Sequence, residues 1–322
     1  SSDDITKATI NASTGVVTAV AAGEALMTYT VTGTGGCLDA TATRLVTVTD
    51  AVHAGSLSGL QNICVSGATT FTTSGDEGGS WSSVNTSVAT VDASGEVTGV
   101  AAGTTTIRYV VAGSGGCSND TATRTVTVTA APVAGTLSGT QAICSNGTTT
   151  LSSTSAGGSW SSSDDAVATI NASTGVVTPV ASGTATMTYT VTGTGGCSNA
   201  TETRSVTVTD AVHAGSLSGT QGICVSGTTT FTTSGDEGGS WSSVNTAIAT
   251  VDASTGEITP VAAGTTTIRY IVEGSGGCSN DTSSKTIVVS APPDAGSTPT
   301  SVKDSVCIGG TIDLDSSGTA QS

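Results

Sequence analysis

The chain has 322 residues and a formal charge of −16 at pH 7, with only 8 Lys and Arg against 24 Asp and Glu. Phosphate backbones and anionic lipid are bound through Lys/Arg neutralisation that this chain cannot supply, so its charge argues against nucleic-acid and membrane-surface partners. No apolar run reaches the roughly 18 residues of a membrane-spanning helix, which argues against membrane insertion, and the opening Ser1-Ser2-Asp3-Asp4 lacks a basic, apolar leader, as expected of a mature or excised segment.

Charged residues make up 10% of the chain and aromatic residues 3%. Gly, Ser and Thr dominate, and Thr and Val suit pleated surfaces, which makes this strand-and-turn material. Residues 1–50 start partway through a pattern: ATINASTGVVT (8–18), an alternating run to a Gly-Gly-Cys at Cys37, then a second alternating run to Asp50. From residue 51 the pattern is complete, and it recurs as 51–130, 131–210 and 211–290; residues 291–322 carry its N-terminal part. Cys64, Cys144, Cys224 and Cys307 form one series, Cys37, Cys117, Cys197 and Cys278 another, and Trp81, Trp160 and Trp241 step with them. A repeat of about 80 residues is therefore the unit of the fold.

Within 131–210 the short alternating segments predict strands near 134–143, 147–153, 158–162, 166–171, 175–180, 184–192 and 202–209. Seven strands fit an all-β, Ig-like sandwich. In TTTIRYVV the alternation puts Ile107, Tyr109 and Val111 on the core face and Arg108 outside, and in RTVTVT the core residues Val126 and Val128 alternate with Thr. One Trp and one Tyr per full repeat predict a core pair in register. Alternate repeats match best: GSWSSVNTSVATVD (79–92) returns as GSWSSVNTAIATVD (239–252), and ATINASTGVVT (8–18) returns unchanged at 168–178. A two-repeat unit has been duplicated.

The phrase W-S-S-x-N-x-x-V-A-T-V-D-A-S-G-x-V-T-x-V-A-A-G-T-T-T-I (81–107), with its returns at 160–187 and 241–268, resembles bacterial Ig-like domains of the group 2 type. The added cysteines, one before the second strand and one in a Gly-Gly-Cys hairpin, make the chain similar to repeat arrays of giant surface and gliding-associated adhesins of Bacteroidota. That resemblance implies an extracellular location on a bacterial cell surface and a stalk of tandem sandwiches forming an elongated rod. It supplies no ligand.

Eight regularly spaced cysteines with almost no His read as disulfides. In an Ig-like sandwich the turn after the first strand and the last hairpin lie at opposite ends, roughly 26 Å apart along an eight-residue strand, whereas a disulfide needs Cα atoms within about 7 Å. This favours pairs between neighbouring repeats, Cys64–Cys197 and Cys144–Cys278. The pairs within repeats, Cys64–Cys117, Cys144–Cys197 and Cys224–Cys278, stay open if the first strand is irregular. Cys37 and Cys307 fall in the partial repeats.

No catalytic or cofactor-binding set emerges. His53 and His213 are the only histidines and stand in separate linkers, and no phosphate-binding loop is present. The acidic loops Asp76-Glu77 and Asp236-Glu237 are the candidate metal residues, for calcium, although one or two carboxylates fall short of its oxygen demand. Thr121 and Ser305 follow Asp and precede an apolar residue, a pattern that resembles the Bacteroidota O-glycosylation site. The sequence thus leads to a structural extracellular stalk or filament and not an enzyme, acting by the length and stiffness of disulfide-reinforced repeats. Its expected partners are further repeats of the same chain or identical subunits head to tail. The alternative is a multivalent glycan- or protein-binding module, with surface glycans as partners; an accessory role beside a catalytic domain is third.

Overall fold

The computed structural model describes residues 1–294, 307, 308 and 311. Among them every regular element is a β-strand. In repeat 51–130 the strands Gly103–Val111 and Asp120–Thr129 form a long antiparallel hairpin, with Gly103 opposite Val128 and Val111 opposite Asp120. Because side chains alternate across a strand, Thr105, Ile107, Tyr109 and Val111 enter the core together with Ala122, Val126 and Val128, and Arg108 is exposed. Ser80–Ser83 joins one edge antiparallel and Asn62–Cys64 joins the other parallel, giving a four-stranded sheet. The second sheet orders Ala89–Val91, Glu96–Gly99 and Ala68–Thr70. Phe71, Ala89, Val97, Ile107, Val126 and Val128 fill the space between the two. Repeat 211–290 repeats the plan around Phe231, Ile258, Ile268 and Ile287.

The expected first strand is two strands. In 131–210, where 134–143 is predicted as one run, Leu137–Ser138 pairs antiparallel with Ser152–Ser153, while Ala142–Cys144 pairs parallel with the last strand. The chain changes sheets between them, and a glycine makes the change. At the matching position of 51–130, Gly59 has φ +128°, and a Cβ there would stand 2.6 Å from the Phe71 ring. The second expected run, 147–153, likewise divides into Thr149–Thr150 and Ser152–Ser153 around the buried Leu151. The other five are Ser159–Ser162, Ala168–Ile170, Val176–Pro179, Gly183–Val191 and Ala200–Thr209.

Arg124 fixes the kinked strand in 51–130. Its guanidinium donates to the carbonyls of Leu57 (2.7 Å) and Gly59 (2.9 Å) and stacks 5.7 Å from the Phe71 ring centre. Lys285 does the same over Phe231 with a single bond, to Leu217. The Trp and Tyr of each repeat are core partners: ring centres lie 4.7 Å apart for Trp81–Tyr109, 4.9 Å for Trp160–Tyr189 and 4.7 Å for Trp241–Tyr270. The Tyr109 hydroxyl also accepts from Gly79 N–H and donates to the Asp76 carbonyl, both at 2.8 Å.

Two compact units divide the chain. The first takes Ser1–Ala134 with Thr190–Thr201; the second takes Gly135–Tyr189 with the described chain from Glu202 on. The hairpin tip of repeat 131–210 thus belongs to the unit that holds repeat 51–130.

Candidate functional site

The functional feature with most chemistry is the junction between repeats. In the first unit, Asn62–Cys64 runs parallel to the end of the last strand, with Cys64 opposite Thr129. Cys117 lies beyond Asp120 at the far end of that same ten-residue strand, about 30 Å away. Cys64 is bonded instead to Cys197 of the following hairpin, Cα–Cα 4.8 Å. In the second unit Cys144 stands opposite Thr209 and is bonded to Cys278, Cα–Cα 4.7 Å. The pairs within repeats, Cys64–Cys117, Cys144–Cys197 and Cys224–Cys278, are not formed. The first strand is irregular, as they would require, but its second half stays at the low end of the last strand and never approaches its own hairpin. Cys37, Cys117, Cys224 and Cys307 are free thiols.

The Gly-Gly before each hairpin cysteine has a role beyond turning the chain. Gly195 and Gly196 have φ +60° and +84°. A Cβ on Gly195 would run into the Thr129 side chain, and one on Gly196 would lie 3.1 Å from the Asn62 carbonyl oxygen. In the second unit, a Cβ on Gly276 would meet Thr209 in the same way, and one on Gly277 would lie 2.6 Å from the Ala142 oxygen. The glycines let the hairpin come close enough for the sulfurs to meet. An amide buckles each hairpin: Asn199 Oδ1 accepts from Gly193 N–H at 3.0 Å and Asn280 Oδ1 from Gly274 N–H at 2.9 Å.

A carboxylate latch ties each AVHAG linker to its own repeat. Ala54 N–H donates to Asp120 Oδ2 and His53 N–H to Asp76 Oδ2, both at 2.8 Å. Asp281 and Asp236 serve Ala214 and His213 identically. The Ala54 and Thr121 amides hold the Asp120 carboxyl below the ordinary carboxylate range, against a smaller desolvation effect. The Ala214 and Thr282 amides do the same for Asp281.

Residues 45–123 and 202–281 match the family of bacterial Ig-like domains (group 2). These two stretches are bacterial Ig-like domains of group 2. No curated protein matches the sequence. Among solved structures the chain is similar to domains 1–6 of the surface layer protein SbsC, with 16% identity, TM-score 0.25, and coverage of 96% of this chain and 52% of that one. It therefore spans about half of that structure. Invasin, a bacterial integrin-binding protein, matches at 16% identity and TM-score 0.35, over 89% of this chain and 69% of that one. The N-terminal eight Ig domains of Down Syndrome Cell Adhesion Molecule match at 9% identity and TM-score 0.39, over 88% and 43%.

In these Ig-like domains the candidate calcium residues are engaged by backbone: Asp76 and Asp236 accept linker amides, and Asp76 N–H donates to the His53 carbonyl at 2.7 Å. Glu77 and Glu237 are exposed beside them. Among the described residues no three His, Cys, Asp or Glu side chains converge on one point. Asp92 and Asp252, also in Ig-like domain loops, accept amides of their own turns, Ser94 and Glu96 for one, Ser254 and Thr255 for the other. Thr121 is exposed on the Ig-like domain surface; Ser305 lies outside the described residues. A polar cleft of about 520 Å³ opens in the second unit, lined by Asn146, Thr148, His213, Ser279 and Asn280 beside the Cys144–Cys278 bond. Sequence reasoning missed the buckling Asn, the linker latch and the close-approach role of Gly-Gly. The last was readable from the invariant spacing of Gly-Gly to Cys; the latch was not, since its partners stand 66 residues apart.

Proposed function

We propose that this chain is a stretch of the extracellular stalk or filament of a bacterial cell-surface adhesin, working through length and stiffness and not through catalysis. The observation that carries this reading is the disulfide at each of two successive junctions. Cys64–Cys197 and Cys144–Cys278 close overlapping loops with separations of 133 and 134, so a pull on the chain ends is carried across both disulfides and only the shared segment 144–197 can extend between them. Oxidised cysteines belong to an exported compartment. Near-identical alternate repeats and five-residue linkers suit a spacer, in which each added repeat adds reach.

Single-molecule stretching tests this. In oxidised chains the shortest covalent path from Cys64 to Cys278 runs across both disulfides and along the shared segment 144–197, so the rest of 64–278 is withheld from extension, roughly 550 Å of contour at about 3.3–3.6 Å per residue, and reductant releases it. Equal extension with and without reductant overturns the reading. A second reading, a multivalent glycan-binding module, draws on the polar cleft beside Cys144–Cys278. A glycan array with the full chain decides it: micromolar binding that is lost in Asn146→Ala supports the module.

A further inference from the structure

Repeat 211–290 carries an open cleft of about 670 Å³ between two turns, 235–239 and 252–256, with Glu237, Ser240, Trp241, Ser254 and Thr255 on its walls. That volume falls in the ordinary range of ligand sites, about 300–1,000 Å³. Both walls are held from behind. The Tyr270 hydroxyl accepts from Gly239 N–H at 2.9 Å and donates to the Asp236 carbonyl at 2.8 Å, and Asp236 N–H donates to the His213 carbonyl at 2.7 Å. Across the cleft, Asp252 Oδ1 accepts the amides of Ser254 and Thr255, and the Ala253 carbonyl accepts Trp241 N–H at 2.9 Å.

The fold does not use up the polar groups between these walls. Trp241 is 7% exposed, yet among the described residues nothing accepts its indole N–H. The unpartnered side-chain atoms sealed from solvent among the described residues are Ser2 Oγ, Arg124 Nε, Arg204 Nε and Ser243 Oγ, so the indole nitrogen is not sealed and opens on the cleft that Trp241 lines. A polar group left unpaired in a nearly buried residue calls for a partner. The ring packs on Tyr270 with centres 4.7 Å apart, and a Cβ on Gly256 would stand 3.0 Å from Nε1. The indole therefore offers its donor edge and no stacking face. The Glu237 carboxylate and the hydroxyls of Ser240 and Ser254 are exposed beside it, also without partners among the described residues.

We propose that this cleft is a binding site for a neutral saccharide, in which the Trp241 indole N–H donates to a sugar oxygen and the Glu237 carboxylate accepts from sugar hydroxyls. The ligand must accept from one group and donate to the other, and a hydroxylated ring does both. A free carboxylate in a chain of formal charge −16 repels acidic ligands, and an indole N–H turned into the cleft has nothing to offer a cation. The fixed walls keep down the ordering cost of binding.

The three full repeats differ at these turns. The acidic turn Gly-Asp-Glu-Gly-Gly stands at 75–79 and 235–239, whereas 131–210 has Ser-Ala-Gly-Gly in its place. The opposite turn reads Asp-Ala-Ser-Thr-Gly at 252–256 but is one residue shorter, Asp-Ala-Ser-Gly, at 92–95. In the shorter turn the Ser94 hydroxyl is tied to Asp92 Oδ1 at 2.7 Å. Among the full repeats, 211–290 alone therefore combines the carboxylate on one wall with a free serine hydroxyl on the other.

Titration calorimetry of the oxidised full chain tests this, with maltotriose, cellotriose and chitotriose as neutral probes and trigalacturonate as the acidic one. At least one neutral probe should bind at a single site per chain with Kd below roughly 1 mM, and trigalacturonate should give no heat. Glu237→Gln should weaken that binding about 10- to 100-fold, through loss of a charged hydrogen-bond acceptor, and Ser254→Ala about 3- to 10-fold. Glu237 and Ser254 are exposed, so both variants should melt with the parent chain. Glu77→Gln and Asn146→Ala should bind as the parent does. Failure of all three neutral probes, binding that survives Glu237→Gln unchanged, or binding lost in Asn146→Ala overturns the proposal, the last by moving the ligand to the cleft beside Cys144–Cys278. The site goes beyond the stalk reading, which stretching of single chains decides whether or not a sugar binds.

Discussion

The linkers that open repeats 51–130 and 211–290 read AVHAG, and the one that opens 131–210 reads APVAG. The first kind is latched by two carboxylates, Asp76 with Asp120 or Asp236 with Asp281. At the matching places 131–210 has a Ser-Ala-Gly-Gly loop in place of Gly-Asp-Glu-Gly-Gly, and Ala200 in place of the second Asp. Yet both kinds keep the turn cysteine, the Gly-Gly-Cys hairpin, the buckling Asn and the Trp–Tyr pair. How a linker is held to its own repeat varies; how one repeat reaches the next does not. The junction chemistry is thus common to both kinds of repeat.

The largest effect should come from breaking the junction itself. Removing a cross-link that closes a loop of more than 100 residues costs about 4–5 kcal/mol on chain-entropy grounds. C64S/C197S and C144S/C278S should each lower stability by that amount in urea titrations of the full chain, and by equal amounts because the loops are equal in length. A large inequality would show that the two junctions are not equivalent. Next come the cores common to both kinds of repeat. Trp160→Ala and Trp241→Ala each empty a site only 7% exposed and should cost about 3–5 kcal/mol, whichever linker the repeat carries.

The glycines allow a finer cut. Gly277→Ala meets both a left-handed backbone, φ +92°, and the Ala142 oxygen 2.6 Å away, whereas Gly116→Ala meets a similar φ of +90° and open space. The first should cost about 2–3 kcal/mol and the second about 1, the strain part alone. Calorimetric melts of the two variants compare them directly. Equal shifts would mean that close approach to the neighbouring repeat does not explain the Gly-Gly.

Much of this was legible in the sequence. Periodicity gave the repeat, and alternation placed Ile107, Tyr109, Val111, Val126 and Val128 in the core, because a half-buried strand writes its burial in a two-residue code. The split first strand was not legible. Gly139, at φ +122°, marks a break between Leu137–Ser138 and Ala142–Cys144, but that the two pieces pair in different sheets is set by tertiary contacts. The latch was hidden for the same reason: Asp120 reads as a turn residue at the head of a strand, and nothing local says that its carboxylate will meet Ala54.

The smallest effect is a pH dependence that the two kinds of linker should not share. Asp120 and Asp281 have folded-state values depressed chiefly by the Ala54 and Ala214 amides. A depressed carboxyl stabilises the folded repeat fully above the unfolded value, near pH 4, and loses that contribution as pH falls through the folded value. Between pH 7 and pH 3 the AVHAG-type repeats should therefore lose stability through this latch, while 131–210, with Ala200 in that place, has no such group to lose. Asn at both positions keeps an oxygen acceptor and removes the titration, so D120N/D281N should show a smaller difference in Tm between pH 7 and pH 3 than the parent chain. An unchanged difference would assign the acid response to Asp4, Asp92 and Asp252, whose carboxyls are also held low by their own turns, and would leave the latch as geometry without an electrostatic share.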